Sequence, residues 1–351
     1  MNTKIINNSL IAILAISFLV AGSIALASGE EGQPARDVKI GGYIGTDNRA
    51  GLKDKNIPFH EYRLDMKTEA KQGDKARFYG EAWLRNMGLS GVKKSDDLTD
   101  KDKVSPYNLD VREAYGDLYG FLSDNIDLRV GRQRIAWGTA DRISPTDNLN
   151  PLDLEDIWDF GRHLGSDAIK ATYYKNDFSL SVVYIPIFTP AVLPRGNYAM
   201  ALAPQMAAPA GLSVQTRSDT VVLPENDISH ASSVGLKLAE KNFMGLDLSL
   251  SYVHTRDSLP MVESVALSPA GTSPAAVNLA GRLIYPRMNI LGADLAGSIS
   301  SVGVWMEAAT FFPEKVTLVT DLSALGMGTS EETVLPGRPY TKYVVGADYS
   351  F

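Results

Sequence analysis

Between Glu61 and Glu69 the chain reads EYRLDMKTE, with a charge at every second position. Glu61, Arg63, Asp65, Lys67 and Glu69 share one parity, and Tyr62, Leu64, Met66 and Thr68 share the other. On a helix five such charges would spread around the circumference, whereas on a strand they line one face. The segment is therefore read as a strand with one wet face and one apolar face. After a polar turn at 71–74 the pattern repeats, with Arg77, Tyr79, Glu81, Trp83 and Arg85 opposite Ala76, Phe78, Gly80, Ala82 and Leu84. Alternation recurs at 38–44, 126–130, 246–252 and 302–312. It is less regular at 107–121, where Glu113, Tyr115 and Asp117 oppose Ala114, Gly116 and Leu118 but Leu109 and Val111 do not continue the rule.

Such segments predict about twelve strands, near residues 36–45, 58–70, 74–87, 107–121, 125–137, 166–175, 178–187, 229–240, 244–256, 284–297, 299–312 and 340–351. Their lengths suit a tilted membrane crossing, and an even count suits a bacterial barrel. Connections after every second strand are short (KQGD, LSDN, KND, EKNF, GS), while the alternating ones run from about a dozen to about forty residues. Short turns on one rim and long loops on the other predict a barrel with both termini on the periplasmic side. In lipid every strand edge must be paired, so these strands imply a closed ring or part of one. The expected fold class is all-β, an antiparallel transmembrane β-barrel of about twelve strands, within roughly 10–16. Tyr343, Val345, Ala347, Tyr349 and Phe351 share one parity, and this aromatic ending looks like the C-terminal strand read by the outer-membrane barrel assembly machinery.

The rest of the composition bounds the compartment. Lys4 precedes an apolar run at 10–26, and Ala25-Leu26-Ala27 places small residues where a signal peptidase reads, so residues 1–27 are expected to be a signal peptide and 28–351 the barrel. The alternative is an uncleaved anchor. No later stretch approaches the length of a transmembrane helix. The absence of cysteine excludes a disulfide scaffold and thiolate metal sites. A net charge of −7, or −8 without Lys4, disfavours a nucleic-acid surface.

No residue is assigned a catalytic, cofactor-binding or metal role, and the chain is not expected to be an enzyme. His60, His163, His230 and His254 form no HExxH, triad order or metal spacing. A barrel hydrolase, the less favoured class, would need a Ser/His pair on the outer wall, whereas Ser249 and Ser251 fall on the polar face. By parity, Arg63, Lys67, Arg77, Arg85, Arg129 and Lys170 share a proposed lumen with Asp65, Glu69, Glu81, Glu113, Asp117, Asp294, Glu307 and Asp348. These charges read either as a bracing ladder of cross-strand pairs or as a transverse field that selects solutes. Both readings require a wet interior.

The stretch GRQRIAWGTADRISPTDNLNP, residues 131–151, is expected to begin as the fifth strand, with Arg129, Gln133 and Trp137 inward. It then enters a long connection at 138–165. It contains neither GxGxxG nor GxxxxGK[ST], so its glycines are not a phosphate cradle. Thr146, Asp147 and Asn148 supply turn chemistry, and Asn150 is expected to cap a short acidic helix with Pro151 at its first position and Asp153, Glu155 and Asp156 in its first turn. Folded inward, this loop would narrow the lumen and bring Asp141, Asp147, Asn150 and Asp153 to the constriction. An outward loop domain is the alternative.

The block DLRVGRQRIAWGTADRISPTDNLNPLDL, following EAYGDL, resembles the signature of a largely uncharacterised family of bacterial outer-membrane porin-like β-barrels. The resemblance rests on Glu113-Ala114-Tyr115-Gly116-Asp117-Leu118, Gly131-Arg132-Gln133, Trp137-Gly138 and Asn150-Pro151-Leu152-Asp153, and more loosely on the ending YVVGADYSF. It implies a Gram-negative outer-membrane channel for passive passage of small solutes, with membrane lipids, the assembly machinery and the solutes as partners and a homo-oligomer left open. Relatives of this type continue past a segment like GADYSF, which would make these twelve strands part of a larger ring. The alternative within the class is a barrel moving hydrophobic compounds or lipids, as an efflux or uptake partner, supported by the apolar loop segment AVLPRGNYAMALAPQMAAPAG within 188–227.

Overall fold

Alternation becomes strand pairing in the computed structural model, which describes residues 36–349 apart from 53–54, 88–89, 157, 160, 195–211 and 272–274. The expected signal peptide, most of the apolar loop segment and the terminal Phe351 lie outside the described residues. The chain divides after Gln133 into two compact units. The described chain is nearly all β, and twelve strands follow one antiparallel meander topology, five in the first unit and seven in the second.

The first unit contains β1 (Arg36–Gly51), β2 (Asn56–Gln72), β3 (Ala76–Asn86), β4 (Tyr107–Leu118) and β5 (Ile126–Gln133), paired in chain order. The β1 and β2 strands are longer than their alternation suggests, so only residues 52–55 lie between them rather than a long loop. The irregular parity in β4 has a local cause. Glu81 pairs with Glu113 but Ala82 pairs with Val111, leaving Arg112 as an extra residue in a β-bulge. The bulge exchanges the two faces, which is why Leu109 and Val111 break the pattern set by Glu113 and Asp117.

The second unit contains β6 (Ser166–Lys175), β7 (Phe178–Ile185), β9 (Ser233–Phe243), β10 (Leu246–Arg256), β13 (Arg287–Ile299), β14 (Val302–Pro313) and β17 (Tyr340–Tyr349), paired antiparallel in that order. Tight turns with residues in the left-handed region, such as Asn176 and Ser300, join alternate strands. The long connections at 186–232, 257–286 and 314–339 are not simple loops. They supply β8 (Ser213–Val221), β11 (Met261–Pro269), β12 (Ala276–Ile284), β15 (Val316–Asp321) and β16 (Thr329–Leu335), which join into a second sheet in the order β16-β15-β11-β12-β8. The β11–β15 and β12–β8 pairs are parallel, with the long strands between them acting as the crossovers. Val265, Leu267, Val277 and Leu279 form the core of this sheet, with Leu212, Val262, Leu318 and Leu325 packed against them.

One face of the meander strands stays apolar and open in both units. Ile40 is 81% exposed, Ile44 84%, Leu250 62% and Tyr343 74%, and Tyr62, Met66, Ile169, Leu291 and Val345 share their faces. The opposite face carries the charges.

Candidate functional site

In the first unit the sequence-predicted charges of the strands do meet, as an interlocked ladder. Arg63 donates to both oxygens of Glu61 at 2.9 and 2.7 Å, and Arg85 lies 3.5 Å from the same carboxylate and 3.9 Å from Asp110. Lys67 bridges Glu81 at 3.3 Å and Asp65 at 4.0 Å. Arg77 reaches Glu69 at 3.1 Å and Asp117 at 3.3 Å, and Arg129 grips Asp117 with Nε at 2.6 Å and Nη2 at 3.2 Å. Glu113 faces Glu81 in register.

Trp83 sits at the centre of the ladder. Its indole N–H donates to Asp65 at 3.0 Å, and Arg63 and Arg112, from the strands on either side, approach its ring at 3.9 and 4.2 Å. Arg112 was missed by parity because the bulge is what turns it onto this face, where it pairs with Asp110 at 3.0 Å. The Gly-Arg-Gln motif supports the same bulge. Gly131 has φ +125°, and a Cβ there would lie 2.4 Å from the Ala114 carbonyl oxygen. Arg132 donates from Nε to the Val111 carbonyl beside the bulge at 2.8 Å. Gln133 is fully buried and donates to the Gly131 carbonyl.

In the second unit the charged face is built differently. The fifth strand stops at Gln133 rather than continuing to Trp137, and the chain from Arg134 onward turns onto the face that carries Glu307. Glu307, in the middle of β14, is 0% exposed and is enclosed by the loop at 139–146. Its Oε1 accepts the backbone N–H groups of Thr139 and Ala140. Its Oε2 accepts the Ser144 hydroxyl at 2.6 Å and the Thr146 hydroxyl at 3.0 Å. Gly138 makes this cradle possible: it has φ +105°, and a Cβ there would fall 2.2 Å from Ser144 Oγ and 2.7 Å from Glu307 Oε1. Asp141, at the tip of the same loop, is exposed.

Beside this latch, Ile135, Trp137 and Leu149 close over Ala168, Val183, Ile185, Val253, Met288, Ile290, Ala309 and Phe311 to form one buried apolar cluster. Trp137, expected inward on the fifth strand, lies beyond the end of that strand and packs into a dry core rather than facing water. Gly235 in β9 provides the space: a Cβ there would lie 2.8 Å from Trp137 Cη2 and 3.1 Å from Leu149. The expectation of a wet inner face is corrected for this part of the second unit. Further along the same face, Asp294 accepts from Lys237 at 3.2 Å and from Ser249.

The acidic helix expected after Asn150 is absent from the described residues, and the hydrogen bonds show why. Asn150 caps no helix. Its Oδ1 accepts the Ile135 N–H at 2.6 Å, and its Nδ2 donates to Ser166 at 3.0 Å. The backbone groups that a first turn would need are engaged elsewhere: Leu164 N–H donates to Pro151 O, Asp153 N–H to Arg162 O and Leu154 N–H to Val192 O, each at 2.9 Å. The segment is an irregular hairpin around a Leu152–His163 bridge. Asp153 holds Arg162 at 2.9 Å, with Glu155 and Asp159 each 3.6 Å from the same guanidinium. Asp147 accepts from Arg134, which also donates to Asn150 Oδ1 at 3.1 Å and lies 3.1 Å from His163 Nδ1. Burial pushes the His163 imidazole below its usual range, against the pull of Asp147. Arg134 and Arg162, the hubs of these two networks, were not singled out in the sequence. The sequence signal for them is the spacing of arginine against Asp-Asn-Leu-Asn at 147–150 and Asp-Leu-Glu-Asp at 153–156.

Among the described residues one cluster looks like hydrolytic or metal chemistry. Asp227, Ser229 and His230 are mutually bonded, with Glu225 nearby. Ser229 and Asp227 both address His230 Nδ1, so no ring nitrogen links acid to nucleophile as a relay requires. Asp227 instead caps the turn Ile228–Ala231 through the N–H groups of Ser229 and His230.

A model of a family described as protein of unknown function (DUF1302) matches residues 62–346. No curated protein matches the chain. Similar solved structures include in-vitro folded OmpT, an outer membrane protein of Vibrio cholerae, at 11% identity over 89% of this chain and 76% of that one, with a TM-score of 0.39. A Salmonella typhi OmpF complex with daunomycin shares 12% identity over 90% and 86%, with a TM-score of 0.30. A triple mutant of the Rhodopseudomonas blastica porin shares 12% over 90% of each chain, with a TM-score of 0.32.

Proposed function

The chain belongs to the DUF1302 family, and we propose that it is a Gram-negative outer-membrane β-barrel that passes small solutes through a charged lumen without covalent chemistry. One observation carries this reading. The meander strands keep large apolar side chains open on one face and fold ion pairs onto the other. A soluble monomer rarely leaves an apolar patch beyond roughly 300–600 Å² open to water, whereas lipid on that face removes the cost. The β1 and β17 strands each have a single ladder partner among the described residues. The reading requires their remaining edges to be paired in the membrane, within this chain's ring or a larger one.

The charged faces of the strands then line the passage, and the loop latched by Glu307 covers part of the charged face of its own unit. Because the ladder matches cations to anions closely, it imposes a transverse field more than a net charge, so ion selectivity is modest. The partners implied are outer-membrane lipid on the apolar faces, the barrel assembly machinery and the solutes themselves. A second reading, movement of hydrophobic compounds, rests on the apolar composition of the loop segment AVLPRGNYAMALAPQMAAPAG within 188–227. Detergent-dependent extraction, heat-modifiable gel mobility and current steps in a planar bilayer are expected. Extraction without detergent would sink the barrel, and a folded protein that gives no current steps would favour the second reading.

A further inference from the structure

On the charged face of the second unit, β13, β14 and β17 and the tip of the Glu307-latched loop surround a hollow of about 460 Å³. Its lining includes Thr139, Asp141, Trp305 and Asp348. This volume lies within the range of small-molecule sites, roughly 300–1,000 Å³. Two cross-strand glycines shape it. Trp305 pairs with Gly346 and lies against it so closely that a Cβ there would sit 2.1 Å from the indole. Asp348 pairs with Gly303, where a Cβ would sit 2.0 Å from the carboxylate.

The charges here differ from those elsewhere on the same face. Glu307 is enclosed by its cradle, and Asp294 is held by Lys237 and Ser249. Among the described residues, the side chains of Asp141, Asp348 and Trp305 make no hydrogen bond or ion pair with a protein group. Two exposed carboxylates without a protein partner and an aromatic ring therefore border one cavity. A bare divalent metal wants six or more oxygen ligands at short range, which two carboxylates and one threonine do not supply. An anion is repelled, and a neutral solute leaves the charges uncompensated. An organic ammonium answers both features, because its charge offsets the carboxylates and its apolar part rests on the indole.

We propose that this hollow is a binding subsite for an organic cation, an alkyl- or arylammonium compound held between Asp141, Asp348 and Trp305. The inference deepens the passage reading and rests on it for the route by which the cation arrives, although not for the binding itself. The test is calorimetric titration of the folded full chain in detergent with benzyltrimethylammonium, using benzyl alcohol, benzoate and calcium chloride as comparison probes. Saturable binding of benzyltrimethylammonium is expected, weakened about tenfold by Asp141→Asn or Asp348→Asn and also by Trp305→Leu, with each variant keeping its heat-modifiable mobility. Asp141 is exposed on a loop, so Asp141→Asn remains informative even where a strand variant fails to fold. Absence of saturable binding, unchanged affinity in the Asp141→Asn/Asp348→Asn double variant, or binding of benzyl alcohol, benzoate or calcium at least as tight would overturn the proposal. A protein that conducts but does not bind the probe refutes this inference alone. One that binds the probe but does not conduct refutes ion passage alone.

Discussion

Replacing Glu307 tests whether the loop at 139–146 is held by its hydrogen bonds or merely rests on the sheet. All the partners of Glu307 are donors: the Thr139 and Ala140 N–H groups on one oxygen, with the Thr139 hydroxyl at 3.4 Å, and the Ser144 and Thr146 hydroxyls on the other, with the Thr146 N–H at 3.4 Å. In Glu307→Gln the amide nitrogen can turn toward Ser144 and Thr146, whose hydroxyl oxygens can accept, while the remaining oxygen keeps Thr139 and Ala140 and only the long contact from the Thr146 N–H is lost. The loss is then mainly charge assistance, about 2 kcal/mol, or roughly thirtyfold in the latched-to-released ratio. In Glu307→Ala the short donors, two N–H groups and two hydroxyls, lose their acceptor together, along with the two longer contacts from the Thr139 hydroxyl and the Thr146 N–H. At about 1–3 kcal/mol each, partly recovered by entering water, the cost is about 5 kcal/mol, or some thousandfold. The assays are amide hydrogen exchange at 139–146 and tryptic cleavage after Arg142, which is exposed at the loop tip. Both rates should rise modestly in the glutamine variant and steeply in the alanine variant, while exchange in β2 stays unchanged. Equal effects of the two variants would mean that charge rather than hydrogen-bond geometry holds the loop, and unchanged rates in Glu307→Ala would refute the latch.

Three further outcomes are expected. Gly235→Ala drives a methyl into Trp137 and Leu149 and should lower stability by about 1–3 kcal/mol, seen as a lower midpoint of heat-modifiable mobility; an unchanged midpoint would mean the loop yields freely. Asp117→Asn leaves Arg129 without its bidentate partner while Arg77 keeps Glu69, and should cost about 2 kcal/mol in urea unfolding from lipid vesicles, less than a fully buried pair because the arginines are partly exposed. The imidazole of His163 is held below its ordinary value, so the unfolded chain binds the extra proton first; loop stability is fully present above about pH 6.5 and falls as the pH drops through the lower folded value. Hydrogen exchange at 150–164 should therefore speed up on acidification, and His163→Gln should flatten that dependence.

The period of two made the meander readable because β-strands expose their faces to opposite media, and β6 (Ser166–Lys175) occupies the residues its alternation predicts. What the period could not show was anything set by a departure from it. A bulge at Arg112 looks like noise in one strand and becomes a feature only when its partner's register is known. The helix expected at Asn150 followed valid local preferences, but Asn-Pro with acids behind it suits a cap only while the backbone N–H groups are free. Here distant carbonyls take them, a tertiary contact invisible to local spacing. The second sheet escaped notice because its strands are short and buried within long connections, although Val277, Leu279 and Leu283 repeat at even spacing. Among the residues expected at a constriction, the charged ones on strands in the first unit lie on the face of one ladder, Gln133 is buried against the Gly131 carbonyl, and Asp147, Asn150 and Asp153 serve the internal bonding of the loop.

Val183, Val253 and Ile290 violate the polar-inward rule of the strands that carry them, and they do so side by side, at positions that face one another across β7, β9, β10 and β13. A single such residue could be dismissed as tolerated; a contiguous patch cannot, because apolar surface facing a water-filled lumen gains nothing from that parity. The patch is stable only beneath a dry cover, and the cover must come from a connection, since every meander strand already spends its own residues on the sheet. The connection that supplies it carries Ile135, Trp137 and Leu149, and glycines at 235 and 292 leave room for its side chains. Clustered inward apolar residues accompanied by strand glycines are therefore the footprint of an inserted loop, and they locate it from the wall rather than from the loop's own sequence. Substituting Val253 and Ile290 together with serine should leave the ladder of the first unit intact yet loosen residues 134–150. Unaltered hydrogen exchange there would show that the Glu307 cradle suffices without the apolar seat.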